Sequence, residues 1–190
     1  MYHIKNDKRS LQSSEMIFSA LIECLTHKAY PDITVTEIVQ QAGLGRSTFY
    51  RNFDYIDDVL QWKCDLAFQG IETYLKENRV NQDESTQTIL KPFFRYWYLH
   101  SFIIELTLQV GRSELISQSL EHMFELRATI WQEQNELIKN HHDYFVAIRK
   151  GAILSILEQW IKNKKNIPPD ELAELVYEMV KISMHTPPFF

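Results

Sequence analysis

Apolar residues recur at helical spacing along almost the whole chain, and no stretch shows the strict alternation of a half-buried strand. The pattern predicts an all-α protein. A first helix from about Leu11 to His27 is apolar over a broad face through Met16, Ile17, Phe18, Ala20, Leu21, Ile22, Cys24 and Leu25. Met1 to Arg9 precedes it and reads as a flexible, mildly basic arm. Pro31 disfavours helical geometry at Tyr30 and stops the first helix.

Two short helices follow, separated by a tight glycine turn. Thr34 has the character of an N-cap, with Glu37 at the capping-box spacing. Ile38, Val39 and Ala42 give one apolar stripe before Gly43 breaks the helix. Leu44 is the buried turn residue, and Gly45 opens a second helix. Phe49 and Phe53 are four apart and face inward. That leaves Arg46, Ser47, Thr48, Tyr50 and Arg51 as hydrogen-bonding groups on the outer surface. The pattern is a helix-turn-helix, in which one helix braces and the next can enter a DNA major groove.

The rest predicts a larger helical unit. Asp54 reads as the cap of a helix running to about Glu77, with Asp57 and Asp58 in the first turn, where the helix dipole favours acids. The most polar stretch, Asn81 to Ser85, reads as a loop. Thr88 to Val110 is strongly aromatic and too long for one amphipathic helix, so a break is expected near His100-Ser101. Gly111 to Glu114 is a turn, followed by a helix from Leu115 through Trp131. Another helix spans His141 to Asn163, and Pro169 stands near the start of the last. The domains expected are a helix-turn-helix unit over 1–54 and a helical effector-binding and dimerisation unit over 55–190.

Charge sharpens this picture. The formal net charge is -5, yet residues 1–54 hold six basic and six acidic side chains, so the remainder carries the whole acidic excess. A neutral unit with local basic groups at Lys8-Arg9 and Arg46/Arg51 can dock on phosphates while the acidic part faces away. Two cysteines in helices suggest no disulfide framework. No segment has the apolar length of a membrane span, and the cytoplasm is the simplest placement.

The segment Ile33-Thr34-Val35-Thr36-Glu37-Ile38-Val39-Gln40-Gln41-Ala42-Gly43-Leu44-Gly45-Arg46-Ser47-Thr48-Phe49-Tyr50-Arg51-Asn52-Phe53 closely resembles the DNA-binding segment of TetR-family transcriptional regulators, without an insertion. The likeness extends from roughly Ser13 to Leu60. Tyr144 to Ala152, Trp160-Ile161 and Pro168 to Ala173 are similar to the C-terminal domain common in Firmicutes members. The resemblance implies a homodimer, usually a repressor, on a near-palindromic operator. It implies phosphate contacts for Thr34 and Thr36 and recognition-helix roles for Arg46, Ser47, Thr48, Tyr50 and Arg51. The sequence departs from the family at Gly45, where serine is common, and at Tyr55-Ile56, where a small cap and a phosphate-binding lysine are common.

Other candidates have a competing structural reading. Lys8 and Arg9 either follow the DNA or merely solvate the terminus. Trp62, Phe94, Tyr98, His100, Phe102 and Trp131 are candidates for lining a pocket for a small amphipathic or aromatic effector, or else are plain core. Tyr144, Ile148, Gly151, Ala152, Ser155 and Gln159 are dimer-interface candidates on the penultimate helix. His100, His122, His141 and His142 have no metal-ligand spacing, and no acid/base pair or nucleophile motif stands out. No metal, cofactor or catalytic residue is expected, so the chain reads as a non-enzymatic regulator. The alternative is a helical interaction or adaptor protein that keeps the fold without operator-specific binding.

Overall fold

The computed structural model describes residues 1–78, 86–125, 128, 132–133 and 135–185. The described residues form helices α1 (Lys8–Leu25), α2 (Val35–Gln41), α3 (Arg46–Asn52), α4 (Ile56–Glu77), α5 (Thr86–His100) and α6 (Phe102–Gln109). They continue with α7 (Ser113–Glu125), α8 (Glu136–Asn140), α9 (His142–Lys162) and α10 (Pro169–His185), and a 3-10 turn spans Tyr30–Asp32. Among these residues the fold is all-α: α1 to α3 make the helix-turn-helix unit and the later helices a bundle.

The small unit closes around Ile17, Leu21, Ile38, Phe49 and Phe53, all with no measurable exposure. Its core continues into α4 through Val59, Leu60 and Trp62, and the Phe53 and Trp62 rings lie 6.0 Å apart. Helix α4 therefore belongs to both parts. In the bundle, Trp97 of α5 meets Phe68 of α4 at 5.0 Å, and Phe94 meets Trp160 of α9 at 5.6 Å. Arg95 and Lys91 of α5 pair with Asp170 and Glu174 of α10, which fixes the two helices in register. The break at His100-Ser101 and the turn at Gly111, with φ +71°, occur where the sequence predicts them.

Three expectations need correction. Helix α1 begins at Lys8, because Asp7 Oδ1 accepts the Ser10 N–H at 2.8 Å and caps the helix a turn early. The N-terminal segment is a docked strap: Tyr2 pairs with Phe53 in an isolated antiparallel bridge, and His3 N–H donates to the Asn52 carbonyl at 2.8 Å. Asp54 does not cap α4. Asp58 Oδ2 reaches back to accept the Tyr55 and Asp54 N–H groups at 2.8 and 2.9 Å. The predicted loop at Asn81 to Ser85 and the stretch from Leu126 towards Trp131 fall outside, or largely outside, the described residues.

Candidate nucleic-acid interface

The brace helix α2 starts as its sequence requires. Thr34 Oγ1 accepts the Glu37 N–H at 3.3 Å, and Glu37 Oε2 accepts the Thr34 N–H at 2.9 Å, completing a reciprocal capping box. Lys28 pairs with Glu37 as well. That pairing, followed by the Thr34 hydrogen bonds, holds the Glu37 carboxyl down at about 2. Gly43 ends the helix with φ +64°, a left-handed conformation that suits glycine, and Leu44 N–H returns to the Val39 carbonyl at 2.9 Å.

Helix α3 is then set by three inward residues. Phe49 and Phe53 are fully buried with ring centroids 5.7 Å apart. Asn52 is the third, at 1% exposure, and the sequence reading overlooked it. Its Oδ1 accepts from Ser10 Oγ at 3.0 Å, and its Nδ2 donates to Ser13 Oγ at 2.9 Å. A buried amide is tolerated only where its hydrogen bonds are met, and Ser10 and Ser13 are supplied one turn apart on α1. The local signal was slight: Ser10 and Ser13 stand among other polar residues near the start of α1, and Asn52 is one of three hydrogen-bonding residues between the two phenylalanines.

With that inner face fixed, Arg46, Ser47, Tyr50 and Arg51 are exposed and Thr48 is half-buried. Tyr50 stands edge-on to Phe49, 5.5 Å between centroids, and is 55% exposed. Arg46 donates to the Thr36 hydroxyl and so links the outer surfaces of α2 and α3. Thr34 is exposed at the start of the brace. Lys8 and Arg9 occupy the first turn of α1, both exposed. Ile56, at the position where the family commonly has lysine, packs against the core.

Ion pairing is uneven along the chain: Lys28 of the small unit is paired with Glu37, and Lys76 and Lys164 have no carboxylate partner among the described residues. In the bundle and on α4, Lys63, Lys91, Arg95, Arg112, Lys139, Lys150, Lys162, Lys165 and Lys181 each have a carboxylate partner. Lys5, Lys8, Arg9, Arg46 and Arg51 have no carboxylate partner among the described residues. Cations left unneutralised around an exposed helix are available to an external polyanion.

Among the described residues the effector candidates fall in different surroundings. Trp62 lies in the small-unit core, whereas Phe94 packs on Trp160. Tyr98 is exposed beside Lys165, His100 stacks on Tyr96, and Phe102 is exposed. Trp131 lies outside the described residues. A cleft of about 590 Å³ opens elsewhere, lined by residues that include Tyr2, Gln61, Asp65, Glu121 and His122. Tyr144, Ile148, Gly151, Ala152, Ser155 and Gln159 are all exposed along α9. Among the described residues no group of His, Cys, Asp or Glu is placed to hold a metal ion, and no helix is long and apolar enough to cross a membrane.

The fold and this surface define an all-α helix-turn-helix protein with a C-terminal helical bundle. Residues 84–182, more than half the chain, match the family described as "Transcriptional regulator C-terminal region", the C-terminal part of TetR-type regulators. The chain belongs to the TetR family of transcriptional regulators. Solved structures agree in fold. Lin0861 from Listeria innocua superposes with TM-score 0.76 at 15% identity, covering 95% of each chain. A TetR transcriptional regulator from Streptococcus agalactiae 2603V gives 0.57 at 19%, covering 90% of this chain and 94% of its own. The dihydroxyacetone kinase operon activator DhaS gives 0.50 at 18%, covering 92% and 96%. No curated protein matches the chain.

Proposed function

We propose that this chain is a sequence-specific DNA-binding transcriptional regulator, acting as a homodimer on a near-palindromic operator as a ligand-responsive repressor. The observation that carries the reading is the polar face of α3, exposed and rich in unpaired cations, mounted on the buried Phe49, Asn52 and Phe53. In this reading the domain boundary falls at 54/55, and the bundle is of the Firmicutes type.

Arg46 and Arg51 reach phosphates or guanine edges, Ser47 and Thr48 lie against the groove, and the Tyr50 hydroxyl takes a phosphate. Thr34 and Thr36 approach the backbone from the brace, and Lys8 and Arg9 from α1. The two chains meet through α9 and α10. Tyr144 and Ile148, 74% and 72% exposed, lie one turn apart on α9 and offer an apolar surface to a partner. Gly151 has open space where a Cβ would stand, which suits close helix approach. An effector that favours a wrongly spaced dimer lowers operator affinity by population shift. Of the candidates for binding it, Tyr98, His100 and Phe102 are exposed and open to a ligand, whereas Trp62 and Phe94 are packed in the core.

A gel-shift titration tests the assignment. Tyr50→Phe and Arg51→Ala weaken binding while the dimer persists, and undiminished binding in both variants removes those roles. A second reading, activation, is favoured by one relative, DhaS, being an operon activator; reporter output with and without the protein separates the two. The adaptor alternative predicts no duplex selectivity at all.

A further inference from the structure

We propose that the N-terminal strap belongs to the DNA-reading surface, where Lys5, Arg9 and Arg51 together cradle a single backbone phosphate. This deepens the operator-binding reading and rests on it. The three side chains come from three separate elements, the strap, α1 and α3, yet line one pocket of about 190 Å³ together with Asp7, Ser10 and Asn52. All three are exposed, and none has a carboxylate partner among the described residues. The remaining acid, Asp7, is committed to capping α1, where its Oδ1 accepts from Ser10 N–H at 2.8 Å. The pocket thus offers three cations against one carboxylate that already faces a helix N-terminus.

The cradle is fixed on both sides. Lys5 N–H donates to Ser10 Oγ at 3.2 Å, and Ser10 Oγ donates to Asn52 Oδ1 at 3.0 Å, so the strap is tied to the end of the recognition helix. On its other side Tyr2 is the anchor. Its hydroxyl donates to Asp65 Oδ2 of α4 at 2.7 Å, and Asp65 Oδ1 accepts from Ser119 Oγ of α7 at 2.5 Å. Tyr2 and Ile4 pack towards the core while His3 and Lys5 point out, as an extended segment requires. The Lys5 backbone is therefore held in place before DNA arrives, which lowers the ordering cost of the contact.

Salt dependence of binding tests this with the full chain. Affinity for a selected operator and for a random duplex is measured from ~50 to ~200 mM salt, where each phosphate neutralised contributes a slope of about 0.9. Lys5→Ala, Arg9→Ala and Arg51→Ala each lower the slope in part. The triple variant loses about 0.9 per bound chain, one phosphate rather than three. Tyr2→Phe removes no cation, yet lowers the slope as Lys5→Ala does and adds nothing to it, with helical content unchanged. An unchanged slope in Lys5→Ala, a threefold loss in the triple variant, or an inert Tyr2→Phe overturns the cradle. Failure of the operator reading looks different: both duplexes bind alike, and the slopes still report the cradle. Retention of neither duplex overturns both.

Discussion

Arg112 Nε, in the turn between α6 and α7, donates to Asp57 Oδ1 at 3.2 Å in the first turn of α4. Tyr30, from the small unit, donates to the same carboxylate, and the guanidinium lies 5.4 Å from the Tyr30 ring centroid. One contact thus joins the bundle, the bridging helix and the helix-turn-helix unit. The pair is substantially exposed, at 37% and 43%, so solvent screens it and it adds little to stability. Arg112→Ala should leave the urea midpoint nearly unmoved while changing DNA affinity in a gel shift. A large stability loss with unchanged affinity would make the contact a local brace.

Glu37 makes the start of the brace helix pH-sensitive. Its folded-state value is depressed to about 2 from an ordinary 4.5, first by Lys28 and then by Thr34. A depressed acid stabilises the fold above its unfolded value, and that contribution fades as pH falls through the folded one. The stability difference between wild type and Glu37→Gln should be full above about pH 4.5 and shrink towards pH 2. Urea titrations at several pH values check it; a difference independent of pH would contradict the assignment.

Gly70 lets two helices touch. The Tyr96 hydroxyl of α5 donates to the Ala67 carbonyl of α4 at 2.7 Å, and a Cβ on Gly70 would overlap that hydroxyl and stand 3.3 Å from Cζ. Gly70→Ala gains ~1 kcal/mol of helix propensity. Overpacking costs typically ~1–3 kcal/mol, so the net change should be destabilising. Tyr96→Phe takes away the clashing atom, and the double variant should be more stable than the sum of its parts. Additivity in denaturant unfolding would refute the clash.

Cys64 should be inert in the folded protein. It is fully buried against Thr107, 3.6 Å from Oγ1, and burial pushes its thiol up to about 12. Since the thiolate is the reactive form, alkylation at neutral pH should modify Cys64 only on unfolding. Rapid labelling in native buffer would show that α4 and α6 separate readily.

What could be read from the chain follows from the range of the forces involved. Thr34, Glu37, Gly43, Phe49 and Phe53 act within a few residues of one another, so capping, turn and inward face were visible in a single stretch. The strap was not, because Tyr2 meets Asp65 across 63 residues and nothing near Tyr2 signals that partner. Asp54 and Asp58 both suit a helix start; only the backbone direction before α4 makes Asp58 the acceptor. The aromatic run of α5 was legible as helical but not as pocket or core, since its rings meet α4 on one side and α9 on another. Short α8 was missed: five residues capped by Asn135 carry too little periodicity to stand out.

The central claim is tested most directly by letting the purified protein select from a random duplex pool and sequencing what it retains. The account predicts two inverted half-sites whose centres lie ~10 base pairs, one DNA turn, or a multiple of that apart. Recovery of sequences no different from the starting pool would contradict it.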